Sequence, residues 1–101
     1  MRKISELARN AFYNNEHFKK DNTEVIIEVY PDYKTTKLYL HGKCIAKRDN
    51  INNKLYVNHC GYTTNTTKER LNSLYGVSIY QKNYVWYLNG VEMLSDWNEV
   101  I

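Results

Sequence analysis

Apolar positions fall at helical spacing at the start of the chain and at alternating spacing afterwards. Ile4, Leu7, Ala8, Ala11 and Phe12 follow the i, i+3, i+4, i+7, i+8 pattern of a helix with one apolar stripe. This predicts a helix over residues 3 to 14, ending near Asn14 and Asn15. A polar connector holding Glu16, His17, Lys19, Lys20 and Asp21 follows. From Glu24 the period becomes two. Val25, Ile27 and Val29 share one face and Glu24 and Glu28 the other, until Pro31 and Asp32 break the run. Strands near residues 35 to 41 and 43 to 48 are expected next, joined at His41-Gly42-Lys43, where glycine supplies the positive φ of a tight hairpin. That turn puts Leu38, Leu40 and Ile45 on one face. Asp49 to Asn53 reads as a polar turn, and Leu55 to His59 as a strand with Leu55 and Val57 inward.

The second helix starts at a capping box, Thr66 with Glu69 three residues on, and Leu71, Leu74 and Tyr75 supply its buried stripe before Gly76 ends it. A three-stranded meander is expected beyond it, over 77 to 81, 84 to 88 and 91 to 93, with turns at Lys82-Asn83 and Asn89-Gly90. These turns pair Ile79 with Trp86 and Trp86 with Met93. Val77, Ile79, Trp86, Leu88, Val91 and Met93 then fall on one face, and this agreement between turns and pattern supports the meander. The expected architecture is α+β, in the order α-β-β-β-β-α-β-β-β, with two helices packed on one face of an antiparallel sheet. Residues 1 to 101 read as a single domain without repeats or linkers.

Composition narrows the function classes. With four Gly and one Pro in 101 residues, the chain is neither collagenous nor a low-complexity tail. No apolar run approaches the ~18 residues of a membrane span. Met1 to Leu7 lacks the apolar stretch of a signal peptide, so an intracellular setting is expected, with Cys44 and Cys60 as thiols. Charge is unevenly spread: residues 34 to 82 carry nine Lys/Arg against two Asp/Glu, whereas residues 83 to 101 carry no Lys/Arg and three Asp/Glu. A basic middle points to an anionic partner or to a solvated basic surface. There are ten Tyr against two Phe and two Trp, and a tyrosine hydroxyl must be satisfied or left in water.

The parity that buries the apolar face turns Lys37, Tyr39, His41, Tyr56, Tyr80 and Tyr87 outward, with Cys44, Ala46 and Arg48. Aromatics interleaved with cations on an open sheet suit single-stranded nucleic acid, because bases stack on rings and phosphates sit on Lys or Arg. The same tyrosines are also ordinary cross-strand pairs on a half-exposed sheet, or anchors for a protein partner. Lys68 and Arg70, beside the hydroxyls of Thr63 to Thr67 at a helix N-terminus, make a second anion candidate, against which stands simple capping. His41, Cys44, His59 and Cys60 would hold a metal only if a bulge or turn brought residues 59 and 60 to one side, and no metal or cofactor is expected. A nucleophile–base pair such as Cys60 with His41 could be assembled in space, as any small chain with two Cys and three His allows. Glycine-rich phosphate loops, G-x-S-x-G and H-E-x-x-H are absent, and a non-catalytic protein is expected.

Several strings carry a family resemblance. Leu38-Tyr39-Leu40-His41-Gly42 with Ile45-Ala46, Thr66-Thr67-Lys68-Glu69-Arg70-Leu71-Asn72 with Gly76-Val77, Gln81-Lys82 and Trp86-Tyr87-Leu88-Asn89-Gly90 together resemble a family of small uncharacterised proteins encoded by tailed bacteriophages. The likeness spans roughly residues 22 to 97. It implies a phage accessory protein working in the host cytoplasm. On that footing the expected function is binding of nucleic acid or a nucleoprotein complex through Lys37, Tyr39, Tyr56, Tyr80 and Tyr87 with Lys68 and Arg70. The alternative is a protein-binding inhibitor of a bacterial defence system such as CRISPR.

Overall fold

The computed structural model describes residues 2–101. The N-terminal stripe folds as α1 (Lys3–Asn14), which ends where Asn15 enters the left-handed region at φ 53°. Ser5, Ala8, Ala11 and Phe12 face inward, while Ile4 and Leu7 are half-buried. The buried stripe is therefore rotated from the apolar one, because Ser5 is drawn into a polar network described below.

Nine strands follow α1: β1 (Phe18–Lys20), β2 (Thr23–Val29), β3 (Lys34–Leu40), β4 (Lys43–Asp49), β5 (Lys54–Val57), then, after α2 (Asn65–Asn72), β6 (Ile79–Lys82), β7 (Val85–Leu88), β8 (Val91–Glu92) and β9 (Asn98–Glu99). The α+β class with antiparallel pairing is as the sequence predicts, with two differences. The polar connector contributes β1, paired to β2 through Phe18 opposite Val25. There are also two sheets, a six-stranded one in the order β1-β2-β3-β4-β5-β9 and a three-stranded one in the order β6-β7-β8. The physical reason is that β9 pairs with β5, Tyr56 opposite Glu99 and Val57 opposite Asn98, so that edge of the first sheet is already filled and the meander forms a separate sheet.

Two local irregularities correct the predicted faces. Leu38 lies opposite Ala46 but Tyr39 lies opposite Cys44, so Ile45 is an extra residue and β4 carries a bulge. Ile45 and Ala46 are consequently both buried. Beyond the bulge the parity of β4 reverses: Lys47 turns outward, and Arg48 turns under the end of α1. There its guanidinium donates to the Phe12 carbonyl (3.1 Å) and to the Oδ1 atoms of Asn15 and Asn50 (both 2.8 Å). A cation at a helix C-terminus meets carbonyls that lack intrahelical partners. Ala46 and Arg48 thus leave the outward face to which simple alternation assigned them.

The second irregularity is a register difference of two residues. The β6–β7 turn is Asn83-Tyr84, both with positive φ (52° and 65°), and it pairs Ile79 with Leu88 and Gln81 with Trp86. A shift of two preserves which residues share a face. Ile79, Trp86, Leu88 and Met93 remain buried, whereas Val91, at the last strand, is exposed. At the other end of this hairpin, Asn89 (φ 50°) accepts the Ser78 amide at 2.8 Å and donates to the Gly76 carbonyl at 2.9 Å. Asn89→Ala loses both bonds and places alanine in the left-handed region, and is expected to lower unfolding free energy by about 2 kcal/mol in urea denaturation.

One continuous core joins α1, the inward residues of β2 to β5, Leu71 and Leu74, and the inward residues of β6, β7 and the following Met93. The cap of α2 is Thr64, whose Oγ1 accepts from the Thr67 amide at 3.2 Å, two residues earlier than the predicted cap Thr66. Tyr75, predicted in the core, lies beyond the end of α2, is exposed and rests against the Tyr13 ring at 4.6 Å. The left-handed Gly76 (φ 78°) turns the chain toward β6 here, which carries Tyr75 outside.

Glu69 takes the role a side-chain cap would play for α1, which has none of its own. Its Oε1 accepts from the Arg2 amide (3.2 Å) and the Ser5 hydroxyl (2.8 Å). Next to it, Arg70 is 2% exposed and donates to Ser5 Oγ (2.8 Å) and Thr23 Oγ1 (3.0 Å). The two helices and β2 are pinned together at this point.

Candidate functional site

The bare face of the six-stranded sheet carries Lys37 and Tyr39 from β3, Cys44 and Lys47 from β4, and Tyr56 from β5. Register aligns Lys37 with Lys47, and Lys47 with Tyr56, across three strands. Trp97, immediately before β9, completes the row. The Lys47 ammonium sits 4.2 Å from the Trp97 ring centroid and 5.7 Å from that of Tyr56. At the opposite end of the row, in the β2–β3 turn, Tyr30 and Tyr33 stack at 4.6 Å with planes 18° apart, their backbones joined by a 2.8 Å bond from the Tyr30 amide to the Tyr33 carbonyl. Together these side chains border an open cleft of about 590 Å³.

The charges in the cleft are not equally available. Lys37 pairs with Glu28 at 2.5 Å, and the Tyr30 hydroxyl donates to the same carboxylate at 3.1 Å. The Lys37 and Tyr30 bonds hold Glu28 below the usual carboxylate range, and the bond to Glu28 raises Lys37 in turn, outweighing its burial. Asp49 is turned onto the following loop, accepting from the Ile51 amide (2.8 Å) and Asn52 Nδ2 (3.3 Å). Among the described residues no carboxylate lies within ion-pair distance of Lys47. Once Glu28 is matched with Lys37 and Asp49 with its loop, Lys47 is the cation the cleft presents, held between two aromatic rings.

A family model, that of the Kyanoviridae Gp96 protein, matches residues 1–100. The chain belongs to this phage protein family. No curated protein and no solved structure matches it. In this Kyanoviridae Gp96 protein family member the cleft and α2 both fall within the matched span. No helix among its described residues is long and apolar enough to cross a membrane.

The residues singled out from sequence are dispersed within this Kyanoviridae Gp96 family chain. Lys37 and Tyr56 line the cleft. Tyr39 shares their sheet face but borders a neighbouring hollow with His41, Lys19 and Glu24; burial and then the nearby Cys44 thiol raise its hydroxyl pKa. Tyr80 and Tyr87 belong to the second sheet, where they sit directly opposite each other and stack at 5.4 Å. Lys68 lies 5.5 Å over the Trp86 ring. Arg70, read from sequence as an anion contact, is buried and hydrogen-bonded to Ser5, Thr23 and Glu69, so it offers no surface charge. Lys47, Trp97, Tyr30 and Tyr33 were not in the predicted set. Only the bulge turns Lys47 outward, and only the long-range β5–β9 pairing brings in Trp97.

Both cysteines are free thiols. The Cys60 thiol donates to the Cys44 carbonyl at 3.2 Å, and burial pushes the Cys44 thiol up to about 11. His59 is instead lowered by burial, and its Nδ1 accepts from the Gly61 amide at 3.0 Å. No group of three or more His, Cys, Asp or Glu among the described residues is arranged to hold a metal. Alkylation of Cys44 by iodoacetamide in the folded protein is expected to be negligible at neutral pH and to rise only as pH approaches its elevated pKa. Mass spectrometry of the labelled peptide across pH reads this directly, and fast labelling at pH 7 would contradict it.

Proposed function

We propose that this phage protein is a non-catalytic binder of single-stranded nucleic acid, free or within a nucleoprotein, in the host cytoplasm. The cleft on the six-stranded sheet is its interface. The observation that carries this reading is Lys47, unpaired with any carboxylate among the described residues and sandwiched by Trp97 and Tyr56 across from the stacked Tyr30 and Tyr33. Flat rings offer π-faces to bases of any identity, and an ammonium among them meets a phosphate. The Cys44 thiol, which burial keeps protonated at neutral pH, is a poor nucleophile, which favours binding over turnover.

The test is a titration of labelled single-stranded and duplex DNA at several salt concentrations. Affinity is expected to favour single strands and to fall linearly in log–log form as salt rises. Lys47→Gln should reduce the slope by about 0.7, the value for one phosphate contact on a single strand. Absence of binding at low salt would reject the proposal; retention of a stoichiometric host protein after nuclease treatment would then favour an inhibitor of a bacterial defence complex.

A further inference from the structure

We propose that a second groove, between β8 and the C-terminal segment, docks an extended, apolar segment of a protein partner that carries flanking Lys or Arg. The groove has a volume of about 610 Å³ and is bordered by Leu88, Val91, Leu94, Trp97 and Ile101. Val91 is 70% exposed and Leu94 64% exposed. Single exposed aliphatics are common on soluble proteins, but these border one concavity, and a contiguous apolar patch rimmed by polar groups marks an interaction site.

Charge selects the occupant. Glu92 and Glu99 stand on the groove, and neither is in an ion pair among the described residues. The whole stretch 83–101 holds three acidic residues and no Lys or Arg. This rim repels phosphate and attracts basic side chains beside an apolar anchor, so the groove differs in chemistry from the nucleic-acid cleft with which it shares Trp97. An edge strand adds a backbone component: β8 is the outer member of the β6-β7-β8 sheet, with no strand on its far side among the described residues. An extended segment laid along it completes the ladder while alternate side chains enter the groove.

The site is preformed. Asn98, buried at 9% exposure, accepts the Leu94 amide at 2.8 Å and donates to the Asp96 carbonyl at 2.8 Å, with the Leu94 and Val57 carbonyls at 3.2 and 3.4 Å. One side chain thereby fixes the loop that carries Leu94 and Trp97, and little ordering remains for the partner to impose.

The experiment is selection of a random peptide library on the full chain, followed by fluorescence anisotropy with the enriched peptides. Enriched sequences are expected to combine an aliphatic or aromatic residue with Lys or Arg. Their affinity should fall by about tenfold or more in Val91→Asp and in the Glu92→Lys, Glu99→Lys double variant. These positions are exposed, circular dichroism verifies folding, and the milder Leu94→Ser supplies a second apolar probe. No enrichment, enrichment of peptides without basic residues, or affinity unchanged in these variants overturns the proposal. A concentration-dependent dimer in sedimentation that Val91→Asp abolishes also overturns it, by assigning the groove to a second copy. None of these outcomes depends on whether DNA binds the cleft.

Discussion

Arg70→Ala is expected to lower the unfolding free energy by about 3–5 kcal/mol, the cost of removing one partner from a buried charged network. That is a large share of the ~5–15 kcal/mol typical of a domain. The substitution leaves Ser5 and Thr23 without their guanidinium partner and opens a void at the junction of α1, α2 and β2. It also removes a cation 3.4 Å from the Glu69 carboxylate. Because the loss comes mostly from stranded partners, converting the set together, with Arg70→Met, Ser5→Ala, Thr23→Val and Glu69→Gln, should recover much of it. Urea unfolding of the single and combined variants decides the matter; a loss below about 1 kcal/mol for Arg70→Ala would show the network to be dispensable.

Glu69 makes the same network sensitive to acid. Burial pushes its pKa up, but the Ser5 hydroxyl, the Arg2 amide and the charges of Arg2 and Arg70 together hold it below the ordinary 4.5. A carboxyl whose folded pKa is depressed contributes stability that is present above its unfolded pKa and lost as pH falls through the folded one. His59, lowered by burial from 6.5, has the same sign in a higher window. Glu28, lowered by its Lys37 and Tyr30 bonds, shares the lower window, so stability is expected to decline on acidification in two stages, and Ser5→Ala, which removes the largest of the contributions that lower Glu69, should shrink the lower stage without abolishing it.

Trp97→Ala is expected to weaken single-stranded DNA binding by about tenfold to a hundredfold, the worth of stacking one base. The loss is compounded because Trp97 is the nearer of the two rings that hold Lys47. Tyr80→Ala serves as the internal control. Tyr80 stacks on Tyr87 in the other sheet, outside the cleft, and should leave affinity within about twofold, as expected of a residue that makes no contact in the proposed interface. The reverse pattern, with Tyr80→Ala damaging and Trp97→Ala silent, would move the interface to the three-stranded sheet.

Elements whose cause is local were legible in the sequence. The helical spacing of α1, the strand character of β2 and the His41-Gly42 and Asn89-Gly90 hairpins all announce themselves within a few residues, and each element is present, although the predicted inward face of β2 fades after Val25, with Ile27 half-buried and Val29 exposed. What escaped has causes distant in the chain. Phe18–Lys20 and Asn98–Glu99 are too short to show a period and become strands only by pairing with β2 and β5. The bulge at Ile45 follows from packing two consecutive small or aliphatic residues inward, and it alone decides that Lys47, not Arg48, faces the cleft. Arg70 reads as a surface cation because nothing beside it says that Ser5, 65 positions earlier, will meet it. Within the candidate site Lys37, Cys44 and Tyr56 were visible from strand parity, whereas Lys47 and Trp97 required the tertiary fold.

The two-residue strand β9 also sets an order of events during synthesis. Five strands of the six-stranded sheet, with α1 against them, are encoded in residues 3 to 57, yet the partner of β5 and the ring over Lys47 arrive only with residues 97 to 99. A nascent chain emerging at ~5–20 residues per second therefore carries an uncovered β5 edge for several seconds. During that interval the cleft has Lys37 and Tyr56 but no Trp97. Under the proposed function the cleft becomes competent to bind only once Trp97 has emerged, and a translation product that stops before it would hold five strands of the sheet while lacking that wall.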